Sequence, residues 1–167
     1  MDLPNTYTKV NETGCCAVPD INSWDGEIFT FNDQHFIRMY TKSFLYMPIN
    51  MAKIMKQLNE TAEKASVVPP MENAMILSRD ITPWKAEQLF KVTGPIENAD
   101  NVELSGNFFT KVFEGPYKNA KIWHDETVKL VEKNGESVQS LYFFYTTCPK
   151  CAKHYGKNYV IAFAKLN

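Results

Sequence analysis

Residues 48–55 read Pro-Ile-Asn-Met-Ala-Lys-Ile-Met, and residues 116–123 read Pro-Tyr-Lys-Asn-Ala-Lys-Ile-Trp. The two stretches align without a gap at a proline and at an Ala-Lys-Ile triplet. Each follows a segment whose apolar residues alternate as they do in a β-strand, and each has the apolar spacing of an amphipathic helix. The chain is therefore predicted to contain an internal duplication of a strand-to-helix unit.

The elements predicted around the two stretches follow one order, strand, helix, strand, strand. In the first half they cover residues 34–46, 48–65, 74–78 and 84–92. In the second half they cover residues 102–113, 116–133, 141–145 and 158–163. An extra strand over residues 27–31 is expected to join the first repeat through a two-residue Asn32-Asp33 turn, which is typical of a β-hairpin.

The predicted fold class is α+β, with two β-α-β-β repeats, antiparallel sheets and two main helices. The 167 residues are expected to form a single domain over 1–167, with repeat 1 over 25–93 and repeat 2 over 101–167. One helix covers only one face of a three-stranded sheet. The repeats are therefore expected to bury their uncovered faces together and to leave a ligand cleft between them.

Composition excludes several classes of function. The formal net charge is −1 with no basic block, so no nucleic-acid partner is expected. No apolar run approaches the ~20 residues of a membrane span, and no signal sequence is seen, so we expect a cytoplasmic protein with no membrane partner. Aromatic residues make up 13% of the chain, and such residues commonly line cavities for flat apolar ligands.

The cysteines form two close pairs, Cys15 with Cys16 and Cys148 with Cys151. Four thiolates are the ligand count of a structural zinc site, so zinc is the one cofactor considered. Adjacent residues of an extended chain point to opposite faces, so Cys15 and Cys16 can both bind one ion only through a kinked backbone. His154 is an alternative ligand. Inert or disulfide-paired thiols remain open; a redox role is disfavoured, because the Cys-x-x-Cys pair is expected in a hairpin loop rather than at a helix N-terminus.

A set of aromatic and acidic residues is the candidate for small-molecule chemistry. A carboxylate in an aromatic pocket favours a cationic or electrophilic ligand, and desolvation would raise its pKa so that it could act as a general base. The set comprises Trp84, Glu87, Glu114, Tyr117, Trp123, Tyr142 and Tyr145. The alternative is that Trp123 and Tyr142 are core residues and that Glu114 is a solvated strand end.

Residues 113–117, Phe-Glu-Gly-Pro-Tyr, followed by Trp123, resemble the turn into the second helix of the GyrI-like small-molecule-binding superfamily. The resemblance covers roughly residues 25–167. Residues 81–84, Ile-Thr-Pro-Trp, and the Cys-Pro-Lys-Cys segment are similar to its stand-alone bacterial branch. It implies binding of flat, lipophilic and often cationic compounds between the repeats, and some stand-alone members are hydrolases that open the cyclopropane ring of DNA-alkylating natural products.

The resemblance implies a division of roles within this set. The predicted catalytic residues are Glu114, Glu87 and Tyr145, and the predicted ligand-binding residues are Trp84, Tyr117, Trp123 and Tyr142. The family's pocket glutamate on the second hairpin has no counterpart, because residues 141–145 contain no acid. The competing function is a non-catalytic small-molecule sensor or interaction module with a structural cysteine or zinc knuckle.

Overall fold

The structure is a computed structural model that describes residues 3, 8–9, 11–16 and 18–167. The chain divides into two compact units. Unit 1 contains the described residues up to Phe31 together with residues 106–167, and unit 2 contains residues 32–105. Each unit packs a helix against antiparallel strands, which confirms the predicted α+β class. In the part of the chain that is described, no helix combines the length and apolar character needed to cross a bilayer.

Unit 2 is an antiparallel sheet with one helix on it. Its elements are β1 (Ile28–Phe44, which starts in unit 1), β2 (Met47–Pro48), α1 (Met51–Lys64), β3 (Ile76–Thr82) and β4 (Lys85–Lys91). Strand β4 pairs with both β1 and β3, and β2 pairs with the end of β1. Helix α1 buries Ile54, Leu58 and Ala62, spaced four apart, against Ile37 and Val92.

Unit 1 repeats this arrangement around a second helix. Its elements are β5 (Asn101–Glu114, which starts in unit 2), α2 (Ala120–Lys133), β6 (Val138–Tyr145), α3 (Pro149–Tyr155) and β7 (Tyr159–Leu166). Strand β7 pairs antiparallel with β5 and β6. Helix α2 buries Trp123, Thr127 and Val131 on one face of this sheet. The strand, helix, strand, strand order thus occurs twice, whereas its origin by duplication and the cleft stay predictions.

The expected Asn32-Asp33 turn is wrong, because β1 runs without interruption through both residues. Asp33 has a positive φ of 48°, which suits a turn, yet it lies within a strand, where its backbone N–H and its carboxylate both have a hydrogen-bond partner. Its backbone N–H donates to Ser105 Oγ at 3.0 Å, and its carboxylate accepts from the same hydroxyl at 2.6 Å. Residue types that favour turns are therefore accommodated here by a partner on β5.

The two main helices begin later than predicted. Helix α1 begins at Met51, since Pro48 is extended and pairs with Ser43 in the β1–β2 ladder. Helix α2 begins at Ala120, after one turn of 3₁₀ helix over Tyr117–Asn119. In both cases the proline precedes the helix instead of forming its first turn.

The loop predicted between β6 and β7 contains a helix, α3. Cys148 is its N-cap, Pro149 occupies the first helical position, and Gly156 ends the helix with φ 70°. Proline at the start and glycine in the left-handed conformation after the end are typical helix boundaries. The expectation that the Cys-x-x-Cys pair lies in a hairpin loop is therefore wrong, because the pair begins a helix.

Candidate functional site

Four cysteine thiols come together in unit 1. The Sγ atoms of Cys15, Cys16, Cys148 and Cys151 all lie within 4.8 Å of one another, and all four cysteines are free. Cys151 is fully buried, whereas Cys15 is exposed. The cluster thus connects residues 15 and 16 to helix α3, and it extends from the protein surface at Cys15 to the interior at Cys151.

A kinked backbone lets the adjacent Cys15 and Cys16 share one centre. Gly14, just before them, has a positive φ of 69°. The Thr13 hydroxyl accepts hydrogen bonds from the backbone N–H groups of Cys15 and Cys16, each at 3.3 Å. The sulfurs of Cys15 and Cys16 consequently lie 3.7 Å apart on the same side of the chain. The same Thr13 hydroxyl lies 3.3 Å from the Cys151 sulfur.

Two side chains of helix α3 hold this turn in place. The Tyr155 hydroxyl donates to the backbone carbonyl of Cys16 at 2.9 Å and accepts from the backbone N–H of Glu12 at 3.0 Å. His154 Nε2 lies 3.0 Å from a carboxylate oxygen of Glu12. His154, the alternative ligand expected from the sequence, therefore pairs with Glu12 and is not part of the cysteine group.

The thiols of Cys15, Cys16 and Cys151 differ in acidity. A hydrogen bond with Thr13, followed by bonds with the other thiols, lowers the pKa of Cys151 to about 7. Burial raises the pKa of Cys16 well above its ordinary value. The pKa of Cys15 is also raised, because burial and the neighbouring thiols outweigh the hydrogen bond with Cys16. The Cys151 thiol thus ionises more readily than those of Cys15 and Cys16, since several thiolates so close together repel one another.

The spacing of the sulfurs fits a tetrahedral metal centre. Zinc binds thiolates at ~2.3 Å, which places neighbouring sulfurs of a tetrahedron ~3.8 Å apart. The Cys15–Cys16 separation is 3.7 Å, and the largest separation in the group is within 4.8 Å. Four soft sulfur donors favour Zn²⁺ over Mg²⁺ or Ca²⁺. Small side-chain rotations would close the group around one ion.

A second constellation surrounds Glu87 on strand β4 in unit 2. Its side chain is only 2% exposed. Arg79 Nε donates to one carboxylate oxygen at 2.7 Å, and Arg38 Nη1 donates to the other at 3.5 Å. Arg38 also makes two bonds to Asp100, at 2.9 and 3.2 Å, and this pairing raises its pKa. Tyr40 lies directly opposite Glu87 in the strand register.

The Glu87 network differs from the aromatic surroundings that the sequence predicts for the carboxylate. Burial is as expected, but two guanidinium groups balance the charge of Glu87 and fix its orientation. The arginines come from the strands on either side of β4, with Arg79 directly opposite Glu87 in the register. Arg38, Arg79 and Asp100 were not predicted as site residues; Arg79 falls in the turn predicted between residues 78 and 84, whereas strand β3 continues to Thr82 and so pairs Arg79 with Glu87.

The predicted aromatic ligand residues of unit 1 are distributed over both faces of its sheet. Trp123 stacks on Phe113 with ring centroids 5.5 Å apart, inside the core beneath helix α2. Tyr142 is buried on the opposite face, where its register partner is Phe163. The structure therefore does not bring Trp123 and Tyr142 to one site within this sheet, and both side chains are buried, as the core alternative expects.

Tyr117 and Tyr145 are two of the predicted site residues, and the structure brings their side chains together. Their rings meet edge to face with centroids 5.1 Å apart. The Tyr117 hydroxyl donates to the backbone carbonyl of Thr147 at 3.2 Å, and burial raises its pKa. Thr147 immediately precedes Cys148, so this aromatic pair borders the start of helix α3.

The remaining predicted residues are exposed. Glu114 ends strand β5 opposite Tyr159 and is open to solvent, so the desolvation expected for a catalytic carboxylate is not seen there. Trp84 is 55% exposed at the β3–β4 turn of unit 2, where its ring lies 5.6 Å from that of Phe44. Of the two candidate carboxylates, only Glu87 is buried.

Several solved structures have a fold similar to that of this chain. Similar solved structures include a hydrolase from Listeria innocua, with 10% identity, a TM-score of 0.59, and coverage of 86% of this chain and 92% of that one. A conserved protein from the same organism, at 11% identity, gives a TM-score of 0.59 and coverage of 86% and 93%. SAV2435 bound to tetraphenylphosphonium, at 12% identity, gives 0.50, with coverage of 86% and 94%.

At these identities the solved structures show a shared fold and no more. None of the curated proteins compared with the chain matches it. A family model described as bacterial hydrolase matches residues 6–166. Because this match spans nearly the whole sequence, the chain belongs to the bacterial hydrolase family.

Proposed function

We propose that this protein is a GyrI-like hydrolase that binds a flat, lipophilic and cationic or electrophilic small molecule at the site predicted from its sequence. The observation that carries the proposal is the family match over residues 6–166. The shared fold with a protein bound to tetraphenylphosphonium, a lipophilic cation, supports the ligand class by analogy. Buried Glu87 supports the reaction class, because it is the candidate carboxylate that is shielded from solvent.

In the proposed reaction, Glu87 orients a water molecule and accepts its proton. The water oxygen forms a bond to a carbon of the strained cyclopropane ring, and the ring C–C bond breaks. Its electron pair moves into the conjugated carbonyl of the substrate, whose oxygen takes a proton from a tyrosine hydroxyl. Tyr145 is the tyrosine predicted from the sequence, and Tyr40 is the one directly opposite Glu87. Arg38 and Arg79 hold the carboxylate in one orientation.

A combined binding and turnover experiment tests this proposal. Thermal shift with tetraphenylphosphonium measures binding, and hydrolysis of a cyclopropane-containing alkylator measures turnover, in wild type, Glu87→Gln and Glu114→Gln. We expect Glu87→Gln to lower kcat by about 10²- to 10⁴-fold while binding persists, as for loss of a general base. Glu103→Gln is the matched control, since Glu103 is an exposed acid of the same unit.

Each result separates the parts of the proposal. Normal turnover by Glu87→Gln with loss in Glu114→Gln would assign the reaction to Glu114, and normal turnover by both would remove the carboxylate mechanism. Stabilisation by tetraphenylphosphonium without turnover of any alkylator would favour the competing function, a non-catalytic sensor. A wild type that neither compound stabilises contradicts the ligand class.

We also propose that the cysteine cluster binds one structural Zn²⁺. The donor set and spacing support this, and four protein thiolates fill a tetrahedral ion, so no position is left for a substrate. The ion would add to the hydrogen bonds by which Thr13 and Tyr155 already tie residues 12–16 to helix α3. Its contribution would therefore be to stability.

Metal analysis of the purified protein tests the zinc proposal. Wild type should contain one equivalent of zinc, and Cys148→Ser should lose it. His154→Ala should keep the metal, because His154 pairs with Glu12 outside the cluster. A metal-free wild type whose four thiols react with a thiol reagent would contradict the proposal, as would disulfides found by mass spectrometry in freshly purified protein.

A further inference from the structure

We propose that two neighbouring turns of unit 2 dock this protein on the surface of an anionic lipid bilayer. The inference does not rest on the proposed hydrolase function. Its starting point is a group of large apolar side chains that are 55–72% exposed, which we call the apolar tip. The apolar tip comprises Phe44, Leu45, Tyr46, Met47, Ile49 and Trp84.

The apolar tip is one continuous surface. The turn between β1 and β2 lies against the turn between β3 and β4, because the backbone N–H of Ser43 donates to the carbonyl of Trp84 at 2.8 Å and that of Tyr46 donates to the carbonyl of Pro83 at 2.9 Å. The rings of Phe44 and Trp84 are in contact across these turns, 5.6 Å apart. Contiguous exposed apolar side chains of this size mark interaction sites.

Lysines outnumber acids around the apolar tip, where the exposed Asp80 lies opposite Ala86 at the end of the β3–β4 ladder. Residues 34–59 contain no aspartate or glutamate. Lys42 and Lys85 are exposed and directly opposite each other in the β1–β4 register, where like charges are destabilising, and the Lys85 ammonium lies 3.9 Å from the centre of the Tyr40 ring. Among the described residues, no carboxylate comes within ion-pair distance of Lys42, Lys85 or Lys53. An anionic partner would offset this repulsion.

An anionic bilayer fits these features better than a second copy of the chain. A twofold dimer through the apolar tip would place Lys42 and Lys85 of one copy near the same residues of the other. At a bilayer, Trp84 and Tyr46 would lie at the headgroup level, where such rings are enriched, and Phe44, Leu45 and Met47 would reach the acyl boundary. The lysines would then face anionic headgroups.

The expectation of no membrane partner was based on the lack of a long apolar segment, which docking on a surface does not require. A protein partner is disfavoured by size, because stable protein interfaces use about 20–30 residues on each side. The apolar tip offers six large side chains on two short turns.

Vesicle binding followed by tryptophan fluorescence tests the proposal. The probes are phosphatidylcholine vesicles with and without roughly one-third phosphatidylglycerol, a content that gives an anionic surface. Trp24 and Trp123 are buried, so a shift in emission reports Trp84. We expect a blue shift and co-sedimentation with the anionic vesicles only, both reversed by high salt.

Paired variants separate the apolar and ionic contributions. Leu45→Ser with Met47→Ser, and Lys42→Gln with Lys85→Gln, should each weaken vesicle binding by about tenfold or more, since each removes apolar or ionic contacts with the bilayer. The matched controls lie in unit 1, where Ile122→Ser on helix α2 changes a side chain that is 64% exposed. Lys118→Gln, in the 3₁₀ turn before this helix, with Lys129→Gln on the helix removes two exposed charges. The controls should bind as wild type does, and thermal melts would verify folding.

Two results would overturn the inference. The first is a wild type that ignores anionic vesicles. The second is a folded Leu45→Ser/Met47→Ser variant that binds them as tightly as wild type. A wild-type dimer in gel filtration that this variant converts to monomer, with no vesicle binding by either, would assign the apolar tip to a second copy instead.

Discussion

The cysteine cluster of unit 1 and the Glu87 network of unit 2 are assembled in different ways. The cluster depends on contacts between distant parts of the sequence, such as that between Thr13 and Cys151, which are 138 residues apart. Glu87 is positioned by its own sheet, through Arg79 8 residues away and Arg38 49 residues away. Strand register alone therefore places the second site, whereas the first needs an early segment to fold back onto helix α3.

The two regions also differ in how charge is balanced. Glu87 has two guanidinium groups within ion-pair distance, so its network contains its own counter-charge. The hydrogen bonds around the thiols come from the Thr13 hydroxyl and from one another. Four ionised thiolates would repel one another without a cation. The comparison indicates that the Glu87 network balances its charge with protein groups and that the cysteine cluster would gain stability from a bound ion.

Removal of the proposed zinc with a chelator should have the largest effect, and only on the cysteine cluster. Structural zinc contributes ~10 kcal/mol or more in small zinc-binding peptides, and that figure is an upper bound for a segment that hydrogen bonds also hold. Hydrogen exchange should accelerate at the backbone N–H groups of Glu12 and Cys16, which are bonded to Tyr155 and Thr13.

The chelator experiment carries its own control. Exchange along strand β4 should not change, because Glu87 and its neighbours depend on protein groups. Cys16→Ser should show fast exchange at Glu12 before any chelator is added. Equal exchange with and without chelator would remove the difference between the two regions.

Arg79→Met should destabilise the protein more than Glu87→Gln does. Loss of Arg79 leaves a carboxylate that is 2% exposed with only the longer bond to Arg38, and stranding a buried charge costs about 3 kcal/mol or more. Loss of the Glu87 charge strands guanidinium groups that are 30–36% exposed and can reach water, so about 1–2 kcal/mol is expected. Urea denaturation measures both.

The double variant Arg79→Met/Glu87→Gln provides the check on this asymmetry. If the cost of Arg79→Met comes from the stranded carboxylate, the double variant should be more stable than Arg79→Met alone. If the destabilisation of the double variant equals the sum of the two single destabilisations, Arg79 stabilises the fold through packing and not through the charge of Glu87.

Thr13→Val should weaken zinc binding without abolishing it. The Thr13 hydroxyl bonds the backbone of Cys15 and Cys16 and contacts the Cys151 sulfur, so its loss loosens three ligands together. Outer-shell groups of this kind typically change metal affinity by about 10- to 100-fold. Competition with a zinc indicator measures the affinity, and Thr13→Ser, which keeps the hydroxyl, should restore it. An unchanged affinity in Thr13→Val would mean that Gly14 alone shapes the turn.

The fold was largely predictable because its helices and strands have clear apolar periods. Ile54, Leu58 and Ala62 repeat every four residues, and their burial follows from that spacing. Helix α3 was missed although Pro149 and Gly156 are typical boundary residues, because seven residues are too few to show a period. The false turn at Asn32-Asp33 has the opposite cause, since residue type indicated a turn and a partner on another strand, Ser105, removed the need for one.

The candidate site was predictable in its members and much less so in its geometry. The count of four cysteines predicted one cluster, but the kink that joins Cys15 to Cys16 depends on a positive φ at Gly14 and on the Thr13 hydroxyl. Neither can be deduced from apolar spacing. The Glu87 network was missed for another reason: long-range strand register decides that Arg38 and Arg79 flank one carboxylate.

The smallest expected effect concerns an exposed ion pair, Asp25 with Lys111, which contrasts with buried Glu87. Burial acts to raise the pKa of Asp25, but bonds from Lys111 and from the backbone N–H of Val112 outweigh it, so the pKa lies below the ordinary 3.8. A carboxyl with a lowered pKa stabilises the fold above its ordinary value, and this stability is lost as the pH falls through the folded value. The side chains are 42% and 27% exposed, so only about 0.2–1 kcal/mol is expected. Asp25→Asn should therefore be less stable than wild type at pH 7 and should match it at a pH well below 3.8, as measured by urea denaturation.

Lys111→Met in the Asp25→Asn background should cost less stability than Lys111→Met does alone, and a full additional loss would show that the two side chains act independently.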